Sequence, residues 1–164
     1  MSTNIRKDRG YRWEDVVTKR LNRCYSWRAF RLGFGSIALP DIIAVSNKFT
    51  TIEAIECKSG TTDYVVVKRE QIERSLRFLD AFKLYSKRLC VLAIKFSRKR
   101  RLKWGDYEPR ELREYFLVFD KELKKGERAP DIIVSYNGRI LEVSKGTKKP
   151  LNLSRGNGPG IYQS

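Results

Sequence analysis

At 164 residues, 41% of them hydrophobic, the chain is long enough for one domain with a sizeable core. Lys and Arg number 35 against 19 Asp and Glu, a net charge of +16; such an excess repels itself in the compact state and usually persists because a polyanion compensates it. The chain has no histidine, which excludes Ser-His hydrolases and histidine-base nucleases and leaves hydrolysis to carboxylates, lysine and a hard metal ion.

Tyr11 to Asn22 reads as a helix, because Trp13, Val16, Val17 and Leu21 recur at helical spacing with Glu14 at the edge of the stripe. Trp27 to Leu32 is rich in strand formers, and Gly33 to Ser36 make a loop. Pro40 precedes a short apolar run, Asp41 to Val45. A turn at Ser46 to Lys48 leads to a second run, Thr51 to Lys58, and the two read as an antiparallel hairpin. Tyr64 to Val67 is a short β-branched strand. From Arg69 to about Tyr85, Ile72, Leu76, Leu79 and Phe82 share one helical face. Leu89 to Phe96 is nearly all apolar, as expected of a buried central strand. Trp104 is expected to begin a further strand, Pro109 to about Tyr115 a short helix or turn, and Phe116 to Phe119 a strand. Asp131 to Val134 and Arg139 to Val143 flank Asn137-Gly138, the strongest short hairpin signal. Beyond Ser154, Gly156, Gly158, Pro159 and Gly160 imply a flexible or partner-ordered tail. Helix, strands, helix, strand describes an α/β domain with a mixed sheet.

No window approaches the ~20 apolar residues of a membrane span, and no amphipathic basic helix stands out. Nucleic acid is therefore a better polyanion candidate than a membrane surface. The polar opening, Met1 to Gly10, reads as lacking a secretory signal. Cys24, Cys57 and Cys90 are odd in number and widely spaced, which suggests a reducing compartment, core burial and no zinc knuckle.

The sharpest feature is Pro40-Asp41 on one strand of the hairpin, with Glu56, Cys57 and Lys58 on the next. Glu56 and Lys58 are two apart, so they point to the same face. Two carboxylates and an ammonium can thus converge at one end of a small sheet. Two carboxylates suit Mg²⁺ or Mn²⁺, and Lys58 can orient or deprotonate a water and offset phosphate charge. Glu14 is a plausible third acid. On spacing alone, an ion network without chemistry remains open.

Glu14 in a leading helix, then LPDIIAV, IECKSG and VKREQIE in that order, resembles the PD-(D/E)XK nucleases, and within them the archaeal Holliday-junction resolvases. The resemblance covers roughly residues 7 to 105. It implies a restriction-endonuclease-like core, a central mixed sheet flanked by helices. It implies a homodimer that binds four-way DNA junctions by shape and cuts two opposing strands with Mg²⁺, for which Mn²⁺ substitutes. Glu14, Asp41 and Glu56 would hold the metal, with the backbone carbonyl of Cys57 as a further ligand, and Lys58 would serve the attacking water. Ser36 would correspond to a functional serine of the family's mobile loop, although the stretch from that loop to Pro40 is shorter here. Arg31, Arg69 and Gln71 match family positions near the site and would contact DNA; helix-start chemistry alone also favours Glu70 and Gln71.

Two features fit DNA binding without the family. Arg98, Lys99, Arg100 and Arg101 form a basic stripe with no acid beside them in sequence. Arg6, Lys7, Arg9 and Arg12 offer a second contact. Pro130-Asp131-Ile132-Ile133 repeats the first motif, but Glu142 and Lys145 follow as E-x-x-K, which puts them on opposite strand faces. This repeat is expected to be a structural hairpin. The expectation is thus a nuclease domain over 1–120, a β-hairpin extension of the same domain over 121–153, and a flexible tail over 154–164 that a partner could order. The expected substrate is branched DNA, with no membrane association and a cytoplasmic, nucleoid-associated location. Alternatives are another nuclease of the superfamily, acting on flaps, nicks or a specific duplex sequence, or a non-catalytic nucleic-acid-binding module of the same fold.

Overall fold

The computed structural model describes residues 2–32 and 38–160, with residues 2–10 as backbone alone. Helix α1 spans Ser2–Arg23. It starts well before Tyr11 because apolar periodicity reports a buried face, not helicity, and the first turns carry no apolar stripe. Further on, Trp13, Val17 and Leu21 recur every fourth residue and are buried. The Trp13 indole donates to the Ala93 carbonyl at 2.9 Å, which fixes the helix against the sheet.

Strands β1 (Arg28–Arg31), β2 (Ile42–Ser46), β3 (Thr51–Gly60) and β4 (Tyr64–Val67) follow, then helix α2 (Arg69–Asp80) and strand β5 (Lys87–Phe96). Helix α2 ends before Tyr85. Phe82 and Tyr85 sit in successive turns, their N–H groups donating to Leu79 and Phe82 carbonyls at 3.0 and 3.2 Å. Turns repeating every three residues keep Phe82 in contact with the core and so mimic a helical period.

Beyond β5, strands β6 (Lys99–Arg101) and β7 (Tyr107–Pro109) form a separate small hairpin. Trp104 therefore lies in the hairpin's turn and not at the start of a strand. The segment expected as a helix or turn instead leads into β8 (Arg113–Val118). Strands β9 (Asp131–Ser135), β10 (Ile140–Ser144), β11 (Thr147–Pro150) and β12 (Ser154–Gly156) complete the chain.

Two sheets result. The larger has the order β1-β2-β3-β5-β8-β12, the smaller β11-β10-β9-β4. In the larger, β3 and β5 pair in parallel through the crossover that contains α2, and the other pairs are antiparallel. Alternation along the strands splits the core. Ile42, Ala44, Ile55, Val91 and Ala93 pack under α1 with Trp13. Ile52, Ala54, Leu92 and Ile94 pack under α2 with Ile72 and Leu79. The second cluster also takes Val65, Ile132, Val134 and Ile140 from the smaller sheet, so the C-terminal strands share the core of the chain before them.

The β9–β10 turn has Gly138 at φ +84°, where a Cβ would also meet Tyr115 at 3.1 Å. Ser154–Gly156, expected in the flexible tail, forms a strand along β8. The open edge of β8 offers backbone groups that need partners, and this segment supplies them. Among the described residues no helix is long and apolar enough to cross a membrane.

Candidate active site

The register of the β2–β3 hairpin sets Ile42 opposite Ile55, so Asp41 comes next to Glu56. Asp41 Oδ2 accepts the Cys57 N–H at 2.8 Å, which ties the carboxylate to the neighbouring strand. Glu56 faces α2 and its side chain is fully buried. Arg74 holds it with two bonds, Nε to Oε1 at 2.9 Å and Nη2 to Oε2 at 2.7 Å. The Ser75 hydroxyl donates to Oε1 at 2.9 Å. The same Arg74 guanidinium lies 3.8 Å from Asp41 Oδ1. Glu14 approaches from α1, and Arg31 joins it at 3.1 Å while donating to Asp15 at 2.7 Å.

Glu14 and Glu56 each feel the charge of Asp41. Burial raises the Glu14 carboxyl above its ordinary value, and the Asp41 charge raises it further against the pull of Arg31. Burial likewise raises Glu56, with Asp41 adding to it and Arg74 and Ser75 opposing. The Cys57 thiol is pushed well up by burial and by the Asp41, Glu14 and Glu56 charges. It is inert as a nucleophile.

Among the described residues no three Asp, Glu or Cys side chains converge closely enough to enclose one ion. The donor chemistry nonetheless suits a hard divalent cation, because a cluster of carboxylates that repel one another gains from added positive charge. Arg74 supplies part of that charge within the protein. An ion taking Glu56 as a ligand competes with the guanidinium for the same oxygens.

Breaking the Arg74–Glu56 pair has a direct cost. In Arg74→Met the buried carboxylate keeps only Ser75, and removing one partner of a buried pair costs about 3 kcal/mol or more. The urea midpoint of Arg74→Met should fall accordingly at neutral pH, whereas Glu56→Gln/Arg74→Met should recover part of the loss. Equal stability of wild type and Arg74→Met would mean that the pair contributes nothing.

Lys58 is half-buried and, among the described residues, has no ion-pair partner. It opens into a groove of about 720 Å³ that Arg12, Lys95, Arg98, Lys99, Arg101 and Tyr107 also line. Three of the four residues of the basic stripe therefore face the same groove as Lys58. Arg100 does not: Asp63 at 2.5 Å and Glu108 at 2.9 Å hold it, acids that the sequence places far from it or across the hairpin. Ser36 lies outside the described residues.

Arg31 links Glu14 and Asp15. At the start of α2, Gln71 Oε1 accepts the Lys68 N–H at 3.2 Å, a helix-capping arrangement. The Arg69 guanidinium lies 3.8 Å from Asp131, which also accepts the Arg69 N–H at 2.8 Å and the Lys68 ammonium at 3.4 Å. The repeated motif is thus structural here: Asp131 caps α2, and Glu142 pairs with Lys121 at 2.7 Å. Sequence reasoning missed Arg74 and Ser75. No spacing signal marks them; only the burial of Glu56, which demands a partner, points to such a pair.

The fold and this carboxylate–lysine arrangement define a restriction-endonuclease-like protein with a PD-(D/E)XK motif. The chain belongs to the archaeal Holliday junction resolvase (Hjc) family, whose model matches residues 7–128. A crossover junction endodeoxyribonuclease of Sulfolobus islandicus rod-shaped virus 1 is 37% identical over 82 residues, 48% of this chain and 64% of that relative. The matched stretch thus spans just under two-thirds of the curated relative. The structure of Hjc from Archaeoglobus fulgidus, a Holliday junction resolvase from an archaeal hyperthermophile, superposes with a TM-score of 0.51 at 19% identity. That likeness covers 78% of this chain and 89% of the other, and it shows a shared fold.

Proposed function

We propose that the protein is a structure-selective endonuclease that resolves four-way DNA junctions by hydrolysing a phosphodiester on two opposing strands. The observation that carries this reading is the family match over residues 7–128, the stretch that contains Glu14, Asp41, Glu56 and Lys58, combined with the basic groove into which Lys58 opens. A phosphate entering that groove meets lysines and arginines on several sides, and their charge offsets the substrate's. Lys58, near the end of β3 and without an ion-pair partner among the described residues, can orient or deprotonate the attacking water and hold the phosphate oxygen as charge builds. Glu14, Asp41 and Glu56, with the carbonyl of Cys57, would hold Mg²⁺ or Mn²⁺, which supplies Lewis acidity and charge neutralisation when bound. Two opposing cuts need two sites, so the working form is a homodimer.

The test is a cleavage gel with four-way junction, flap and linear duplex substrates in Mg²⁺. The expected result is paired cuts in the junction, none in linear duplex, and binding that weakens steeply as salt rises. Cutting of linear duplex at one sequence would replace this reading with a sequence-specific nuclease. Tight junction binding with no cut in Mg²⁺ or Mn²⁺ would replace it with a binding module.

A further inference from the structure

We propose that the β6–β7 hairpin is a stacking wedge for nucleotide bases that come unpaired at the branch point of the DNA, with Trp104 as its tip. This rests on the nuclease reading above and names the feature of the substrate that the same groove selects.

Trp104 is 88% exposed. A single exposed apolar residue needs no explanation, but this one has company. Tyr64 is exposed on β4, and the two rings line one hollow together with the cations Arg101 and Lys103 and with Arg100, which Asp63 and Glu108 already hold. Tyr107, at the other end of the turn, is also exposed and lines the larger groove. Aromatic faces interleaved with cations are what single-stranded nucleic acid binds: bases stack on the rings and the phosphates meet the charges. Paired bases inside a duplex offer no free face, so such a surface distinguishes a branched or opened region from linear duplex.

The wedge is held in place. The turn is closed by the Leu102 N–H donating to Asp106 at 2.8 Å and the Gly105 N–H to Leu102 at 3.1 Å. Gly105 has φ +90° and nothing within 4 Å of where a Cβ would sit, so the turn faces open space at this position. Below the turn, the hairpin is fastened to the loop that follows Lys58. The Arg101 N–H donates to Thr61 at 2.8 Å, the Ser97 N–H to Gly60 at 3.0 Å, and Arg100 bridges Asp63 and Glu108. Arg110 donates to the carbonyls of Ser97, Thr62 and Gly60. A ring presented on a fixed support loses little freedom when a base stacks on it.

The wedge is also continuous with the site. Arg101 and Thr62 line both the groove that contains Lys58 and the hollow that contains Trp104. Asp63, the acid in that stretch, is already paired with Arg100. The surface from Lys58 to Trp104 therefore favours a polyanion over an acidic-and-apolar protein partner.

The experiment compares wild type, Trp104→Ala and Trp104→Phe on three DNAs: a four-way junction, a linear duplex and a single strand. The junction and the single strand carry 2-aminopurine, at the branch point and in the interior respectively. Trp104 is far from the core, so Trp104→Ala should fold as wild type does. Loss of one stacked base should weaken junction and single-strand binding about five- to hundredfold, leave duplex binding unchanged, and abolish the 2-aminopurine signal. Trp104→Phe should recover most of the affinity. The proposal is overturned if Trp104→Ala binds the junction and single strand like wild type, or loses duplex affinity equally. It is also overturned if 2-aminopurine never responds to Trp104, which would leave the aromatic tip to a protein partner. If wild type shows no preference for junctions, yet Trp104 still controls the single-strand signal, the junction reading fails and the stacking surface stands.

Discussion

Lys58→Ala is expected to lower junction cleavage about a thousandfold or more, the scale of a lost general acid–base or phosphate-positioning group. Asp41→Asn should do the same, and both variants should fold and still bind junctions. The structure gives the reason for intact folding in each case. Lys58 has no ion-pair partner among the described residues, so truncating it strands no buried charge. An asparagine at position 41 still offers a carbonyl oxygen to the Cys57 N–H, which Asp41 accepts at 2.8 Å. It also removes a negative charge that raises both Glu14 and Glu56. Asp41→Asn should therefore be as stable as wild type or more so. Cleavage by quantified gel, binding by anisotropy and unfolding by urea separate the roles. Loss of cleavage together with loss of folding would make these residues structural, and unchanged cleavage would remove them from the chemistry.

Conserving fold while losing activity is informative here because the three acids are held so differently. Asp41 is tied by one backbone bond and has an oxygen 3.8 Å from the nearest guanidinium. Glu14 shares Arg31 with Asp15. Glu56 is saturated by Arg74 and Ser75. A cation entering the cluster meets least competition at Asp41 and most at Glu56, so of the three Asp41 is the acid whose charge is most available for chemistry.

The sequence made the hairpin and its register legible, because period-two alternation is strict where a sheet is buried and a one-residue slip would expose Ile42 and Ile55. It made the buried run at β5 legible for the same reason. What it could not show are partners distant in the chain. Arg74 meets Glu56 only because a crossover lays α2 over β3. Asp131 caps α2 only because β4 leaves the larger sheet to pair with β9. Asp63 neutralises Arg100 only because the hairpin folds back on the loop after Lys58. In each case a charged residue that reads as a surface or binding group is claimed by an acid or base far along the chain. The basic stripe accordingly contributes three groove-facing cations and one structural one. The second half of the resemblance, Arg69 and Gln71, shows the same division: both sit at a helix start where capping accounts for what they touch.

Glu53 is the residue for which pH should matter most. It lies mid-strand on β3, between Ala44 and Leu89, fully buried, and neither carboxyl oxygen has a hydrogen-bond partner among the described residues. Burial alone pushes its carboxyl up to about 8. In the unfolded chain it titrates near the ordinary 4.5. Between these values the folded state keeps a proton that the unfolded state releases, so stability is full below about pH 4.5 and falls as pH rises. The slope is about 1.4 kcal/mol per pH unit, and the loss levels off near pH 8 at about 5 kcal/mol. This is the reverse of an ion-paired carboxylate, which stabilises as pH rises. Glu53→Gln removes the titration while keeping shape and polarity. Near pH 4.5 the variant and wild type should be about equally stable, since both bury a neutral group lacking partners. Near pH 8 the variant should be more stable by several kcal/mol. Urea unfolding of the pair at both pH values cancels the contributions of Glu14 and Glu56, which titrate alike in each. A stability difference that does not change between the two pH values would mean that Glu53 is hydrogen-bonded or solvated in the folded protein. A difference of the opposite sign would mean that it is ion-paired.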